Sequence, residues 1–284
     1  MNNKTKGIFF IIFSAFSFAL MNTFVKMAGD LPSFQKSFFR NLVALFFAVI
    51  MLMKDKEKFK LRKENLPVLI LRSVLGTIGI LCNYYAVDRL ILSDASMLGK
   101  LAPFFTIVFS YIFLKEKMNL IQALAVISAF IGSLFIIKPS GTMDSFPALI
   151  GLIGAMGAGS AYTAVRYLGT KKERSAYIIF FFSAFSTVVI APYLIFNYHE
   201  MSLYQFGMLM LAGLAASGGQ IGVTNAYKYA AAKEISIFDD TQVLFAALIG
   251  LVFFEQIPDS VSLIGYAIII GVSVIMFIYN KRTK

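Results

Sequence analysis

The chain has 284 residues, of which 58% are hydrophobic and 14% charged, and its mean hydropathy is +0.77. A water-soluble surface needs more charge than that, so the composition excludes an ordinary soluble domain and describes an integral membrane protein. The formal net charge of +11 is no nucleic-acid signature, because the one basic run, Lys54 to Lys63, is expected to be a short loop at the anionic leaflet rather than a clustered basic face.

Ten apolar runs are long enough to cross about 30 Å of hydrocarbon as helices: residues 7–27, 34–53, 66–87, 95–114, 120–137, 148–168, 175–196, 204–225, 236–254 and 261–279. They are apolar all round rather than alternating, which excludes a transmembrane β-barrel and predicts an all-α fold. The first run opens like a secretory signal, with Lys4 and Lys6 before it and the small-x-small triplet Ser17-Phe18-Ala19. It continues through Phe24 and Val25 to full membrane-span length, so it is read as retained. Asn22 lies inside it, and Lys26 closes it.

In the third run, Arg72, Gly76, Gly79 and Asn83 are spaced four, three and four, which puts them on one helical stripe. Cys82 is alone in the chain and makes no intrachain disulfide. The fourth run repeats the arrangement with Ser96, Lys100 and Pro103, and Lys100 lies in its outer half. An ionisable side chain at helix centre costs roughly 2.5 to 3.5 kcal/mol on insertion scales, so each is expected to face a partner or a wet cavity. After the fifth run, Pro139, Gly141 and Pro147 mark a linker, 139–147. The sixth run carries Gly151, Gly154, Gly157 and Gly159 as helix-packing positions, and Tyr162. Pro192 is expected to kink the seventh, as Pro103 does the fourth. The single histidine, His199, lies in a loop with no ligand partners at metal spacing, so neither metal nor cofactor is expected. Gln220 and Thr224 are four apart in the eighth run, and Asp239, Asp240 and Gln242 open the ninth.

With the N-terminus inside and ten crossings, 18 of the 26 Lys and Arg fall on cytoplasmic segments and two, Arg89 and Lys138, on outer loops. This positive-inside bias predicts a multi-pass protein of the cytoplasmic membrane with both termini cytoplasmic. The linker divides the chain into five runs plus five, residues 1–138 and 148–284. Glu116 and Glu255 close the two fourth spans, Gly132 and Gly271 lie in the two fifth spans, and both pairs share one offset in numbering, 139; Lys26 and Arg166 are offset by 140. Because five is odd, the second half enters from the other side, which makes the repeat inverted and places a substrate site near the midplane between the halves.

Pro103 thirteen residues before Glu116, in LAPFFTIVFSYIFLKEK, followed by a glycine in the next span, resembles the EamA domain of the drug/metabolite transporter superfamily. The second copy, DDTQVLFAALIGLVFFEQ, keeps Glu255 and Gly271 but has Gln242 where the proline would be. The resemblance covers nearly the whole chain. It implies ten transmembrane helices in two inverted five-helix repeats and a carrier of small metabolites, without choosing the metabolite. It also implies that Glu116 and Glu255 are structural helix-end residues.

The reading that follows is a secondary transporter using alternating access. Its partners are membrane lipid and a small polar solute, and its cavity residues are Asn22, Arg72, Asn83, Lys100, Tyr162, Gln220, Thr224, Asp239, Asp240 and Gln242. Arg72 and Lys100 balance Asp239 and Asp240 formally; protonating an acid leaves the cavity positive and favours an anionic or zwitterionic, amino-acid-like solute. Asp239 and Asp240 are the only acids placed within the spans. Adjacent carboxylates in a dry site resist joint ionisation, which makes a proton the candidate coupling ion. Pairing Asp239 with Arg72 is the alternative, and Lys26, Arg40, Arg166 and Lys100 can also snorkel to an interface. An intramembrane enzyme is disfavoured because no nucleophile, base and acid converge; an accessory subunit or passive pore would carry fewer charges inside its spans.

Overall fold

The computed structural model describes residues 3–55, 57–115, 118–138, 145–229 and 236–282, with the side chains of residues 3, 4, 166, 224, 227, 228, 236, 237 and 280–282 left aside. Its helices are α1 (Asn3–Met27), α2 (Ser33–Met53), α3 (Leu66–Arg89), α4 (Leu92–Gly99), α5 (Ala102–Leu114), α6 (Leu120–Ile137), α7 (Phe146–Thr170), α8 (Ser175–Asn197), α9 (Leu203–Tyr229), α10 (Thr241–Phe254) and α11 (Ser260–Arg282). No strand occurs among the described residues. A bilayer core offers no hydrogen bonds, so each run satisfies its backbone internally, which only a helix does within one segment.

Local chemistry sets the ends. Asn119 caps α6 through a reciprocal pair in which the Gln122 N–H donates to the Asn119 side chain and the Asn119 N–H donates to that of Gln122. Lys115 after α5 and Glu255 after α10 both adopt left-handed backbone, with φ of 55° and 54°, and return their N–H to Ser110 and Gly250. These two caps thus recur in the two halves at nearly the offset that relates Gly132 to Gly271. Glu116 lies outside the described residues.

Nine segments among the described residues are long and apolar enough to cross a membrane, with α4 and α5 counted as one. The expected ninth span differs. Its helix α10 has 14 residues, about 21 Å, which falls short of the hydrocarbon thickness. A 3₁₀ turn, Ser236–Asp240, precedes it and adds about 10 Å at 2.0 Å per residue. The fourth span breaks too, between α4 and α5 at Lys100 and Leu101. There Pro103 lies in the first turn of α5, where its missing N–H costs nothing. Pro192 sits instead inside an unbroken α8.

The packing brings α1 against α9 and α3 against α7 as the two most extensive crossings, with α2 against α8, α6 against α11, α5 against α7 and α1 against α10. Glycines make the crossings close. A Cβ on Gly79 would meet the Ala158 amide nitrogen at 3.0 Å and the Gly154 carbonyl at 3.2 Å, and one on Gly265 would meet the Gly132 carbonyl at 2.7 Å. Gly218 on α9 faces Ser17 of α1. Gly271, the sequence counterpart of Gly132, has nothing within 4 Å of such a Cβ.

Loops gather at two faces. At the face holding the first residues of α1, Arg62 donates to the Lys172 carbonyl, Asn65 to Glu173 and Asn119 to the Tyr279 hydroxyl. At the opposite face Gln35 and the His199 backbone exchange two hydrogen bonds, Gln205 donates to the Ala28 carbonyl, and Gln256 accepts from the Leu92 N–H. The ion pair of Lys100 with Asp239 lies between these faces.

Candidate functional site

The two broken spans meet. Leu92 at the start of α4 lies by Gln256 after α10, and Lys100 at its end lies by Asp239 before α10, so α4 and α10 run antiparallel. Lys100 Nζ donates to Asp239 Oδ2 at 2.6 Å; the lysine side chain is 9% exposed and that of the aspartate 33%. The chain geometry favours these charges where they are. Lys100 caps the carbonyl end of α4 and Asp239 and Asp240 precede the N–H end of α10, so each charge faces the helix terminus that complements it. Asp240 Oδ2 is buried without a hydrogen-bond partner. Gln242, in the first turn of α10, is half-buried.

Asp239 therefore pairs with Lys100 and not with Arg72. The distances of Asp239 and Arg72 from their span starts pointed to the wrong partner, because the ninth span does not begin as a straight helix.

Arg72 instead lies over the Phe182 ring of α8, with its guanidinium carbon 3.7 Å from the ring centroid. Its Nε and Nη1 are buried without a hydrogen-bond partner. Arg40 and the Tyr162 phenol are within Coulombic reach of it, and Tyr162 itself is exposed on α7. Asn83 Nδ2 approaches Asn22 Oδ1 at 3.4 Å, a weak bond between α3 and α1. Gln220 is half-buried on α9. Thr224 belongs to the same helix, with its side chain outside the description.

Lys36, Asp88 and Asp94 were not singled out in the sequence. Lys36 is fully buried on α2 and pairs with Asp88 near the end of α3 at 2.6 Å. Beside them, Lys26 Nζ donates to the carbonyls of Val87 at 2.9 Å and Leu90 at 2.5 Å, which satisfies acceptors left open where α3 ends. Asp94, 6% exposed, accepts from the Tyr266 hydroxyl at 2.6 Å, and that hydroxyl lies 2.9 Å from Ser93 Oγ. Asp88 and Asp94 correct the expectation that Asp239 and Asp240 were the only acids in the spans: α3 runs on past Val87 to Arg89, and α4 starts at Leu92 rather than Ala95. A cavity of about 800 Å³ opens at this same face, bordered by Gly29, Asp30, Pro32, Tyr85, Asp88 and Arg89; Lys100 and Asp239 are not among its lining residues.

Residues 5–138 match the model of the EamA-like transporter family. The pseudopaline exporter CntI of two Pseudomonas aeruginosa strains is 30% identical, over 98% of this chain and 96% of the exporter. Solute carrier family 35 member G1 of Mus musculus is also 30% identical, over 89% of this chain and 73% of its own length. A solved crystal structure aligns over 99% of both chains with a TM-score of 0.69 at 11% identity, a likeness of fold alone.

Proposed function

The chain belongs to the EamA-like transporter family, and from that premise we propose that it is a secondary transporter moving a small polar metabolite across the cytoplasmic membrane by alternating access. The solute is amino-acid-like or an organic anion or zwitterion. Its direction is outward, by likeness to the relatives named as exporters. The frame is ten crossings in two inverted halves, 1–138 and 148–284, with 139–147 between them and both termini cytoplasmic. The packing supports this frame because its contacts exchange between halves. First spans cross the third spans of the other half, as α1 with α9 and α7 with α3, while the second spans meet each other and so do the fifth. Gly79 against Gly157 answers Gly218 against Ser17 at offsets of 139 and 140.

The observation that carries the proposal is the ion pair between Lys100 and Asp239. Their offset in numbering, 139, is the one that relates the halves, so each is the other's counterpart. Counterparts can touch only near the axis that exchanges them, and for an inverted repeat that axis lies in the membrane plane. The pair supports a site near the midplane, where in this reading rocking of the halves rearranges it and a solute competes for either charge.

The test is flux in proteoliposomes containing this chain alone, with solutes chosen by ligand-induced thermal shift over amino acids and organic acids. Lys100→Met should abolish flux in a monodisperse protein, and the exchange of charges in Lys100→Asp with Asp239→Lys should restore part of it. Undiminished flux in Lys100→Met removes the pair from the pathway. An imposed pH gradient separates proton coupling from facilitated exchange, since only the first drives solute uphill.

A further inference from the structure

Of the cations that reach the bundle interior, Lys26 is held by two carbonyls, Lys36 by Asp88 and Lys100 by Asp239. Arg40 and Arg72 have no acid within ion-pair distance among the described residues. We propose that these two arginines form an anion subsite of the transport path, built to hold a carboxylate-class group of the solute. The inference rests on the transport reading and names the solute chemistry for it.

Arg40 on α2 is 5% exposed. Its Nη1 donates to Asn41 Oδ1 at 2.7 Å, its Nη2 lies 4.0 Å from the Met21 sulfur, and its Nε has no partner. A guanidinium carries five N–H donors, so part of this one's capacity is unspent in a buried place. Arg72 on α3 is half-buried as a residue, with its Nε and Nη1 buried and unpartnered. Around them α2, α3 and α8 supply neutral polar groups. Asn41 Nδ2 donates to Ser37 and Ser186, Thr77 donates to Ser186, Ser183 Oγ is buried without a partner, and the buried Tyr84 hydroxyl lies beside the Arg40 guanidinium. These hydroxyls can donate to an anion and leave its charge uncompensated, which two guanidinium forks do not.

Snorkelling does not account for Arg40, because its head is tied to the buried Asn41 and not delivered to an interface. A structural ion pair does not account for either arginine. The same helices provide an acid for Lys36, one turn from Arg40, and that acid, Asp88, is already engaged. Leaving a charge unpaired in the interior is costly and persists where a ligand completes it. Arginine suits that ligand, since its planar fork matches a carboxylate with two parallel hydrogen bonds and lysine's single ammonium does not. Gly76 makes room for the fork: a Cβ there would lie 3.0 Å from the Phe182 ring and 3.1 Å from Arg72 Nη1. The subsite lies inward of the Lys36–Asp88 pair, so that pair covers it from the face opposite the termini.

The test uses acetate as the minimal carboxylate. Thermal unfolding of the purified chain is measured in sodium acetate, in sodium chloride of equal ionic strength, and in acetamide. Acetate alone should raise the melting temperature, and Arg40→Gln and Arg72→Gln should each weaken its apparent affinity at least tenfold. An unchanged acetate shift in both variants overturns the proposal, as does a chloride shift equal to that of acetate, which means a halide site. Where a glutamine variant does not purify as a single species, Arg40→Lys or Arg72→Lys keeps the charge and loses the fork; a several-fold weaker affinity is expected, and an unaltered one refutes the site. Flux by the wild-type chain without acetate stabilisation ends the subsite and leaves the transport reading intact. Acetate binding through both arginines in a chain that moves no solute does the reverse.

Discussion

Lys36 and Arg40 stand one turn apart on α2, and the molecule treats them in opposite ways. The lysine is fully buried and matched by Asp88 at 2.6 Å; the arginine is nearly as buried and is matched by no acid among the described residues. The difference is instructive because the cost of burial is similar for both. A fold able to place one carboxylate against α2 has used it to close a corner, where Lys26 also holds the end of α3. One turn further in, it leaves Arg40 beside the side chain of Asn41 and without an acid among the described residues. Satisfied charge ties α1, α2 and α3 together at that face, within the first half of the chain, and the unmatched charge is the one the proposed subsite would use.

The largest effect should come from breaking the satisfied member. Asp88→Ala leaves the fully buried Lys36 ammonium without its partner, and removing one partner of a buried pair costs about 3 to 5 kcal/mol. Chemical unfolding in detergent should show most of that loss recovered when Lys36→Met is added, because the double variant leaves no orphan charge. If the double variant is as unstable as the single, the corner is held by packing and the ion pair is incidental.

Arg72 should respond in the other direction. Its replacement orphans no acid, and what is lost is a stacking contact on Phe182, worth about 0.5 to 2 kcal/mol. Removing an unpaired buried charge gains a similar amount. Arg72→Met is therefore expected within about 1 kcal/mol of wild type, or above it, in the same unfolding measurement. A loss as large as that of Asp88→Ala would mean that Arg72 has a structural partner and that the two regions do not differ in kind.

The spans were legible in the sequence because each is a long apolar run. The limits of α6 coincide with expectation, and those of α2, α7 and α8 differ from it by one or two residues at either end. The ninth span was legible as a run and not as a turn plus a helix, since its apolar content does not tell a 3₁₀ turn from the start of an α-helix. The polar interior was legible only in part. Lys100 and Asp239 were both identified, but Asp239 was matched to Arg72 by depth; the offset that joined Gly132 to Gly271 would have joined Lys100 to Asp239 as well. Lys36 and Asp88 carried no such signal. Each lies near the end of its run, where a charge reads as interfacial, and the two belong to different helices with no repeat offset to connect them. Asp94 was hidden in the same way until the hydroxyl of Tyr266, from α11, covered it.

The smallest effect belongs to the ion pair between Lys138 and Asp259, which serves as a solvent-exposed control for the buried pair. The ammonium of Lys138, together with the N–H groups of Ser262 and Val261 at the start of α11, holds the Asp259 carboxyl below the usual carboxylate range. On the other face, the Glu57 N–H and then Arg174 do the same for Asp55. A carboxyl depressed in the folded state contributes stability that is complete above its unfolded pKa, about 3.9, and is lost as pH falls through the lower folded value. These two groups should therefore leave the melting temperature flat from pH 7 to about pH 5 and contribute to a decline only below about pH 4. Asp259→Asn should shallow that decline by a small margin, because exposed pairs are screened and contribute little. If the same substitution instead destabilises the protein at pH 7 as much as Asp88→Ala does, exposure is no guide to which ion pairs hold this bundle together, and the contrast drawn between Lys36 and Arg40 loses its physical basis.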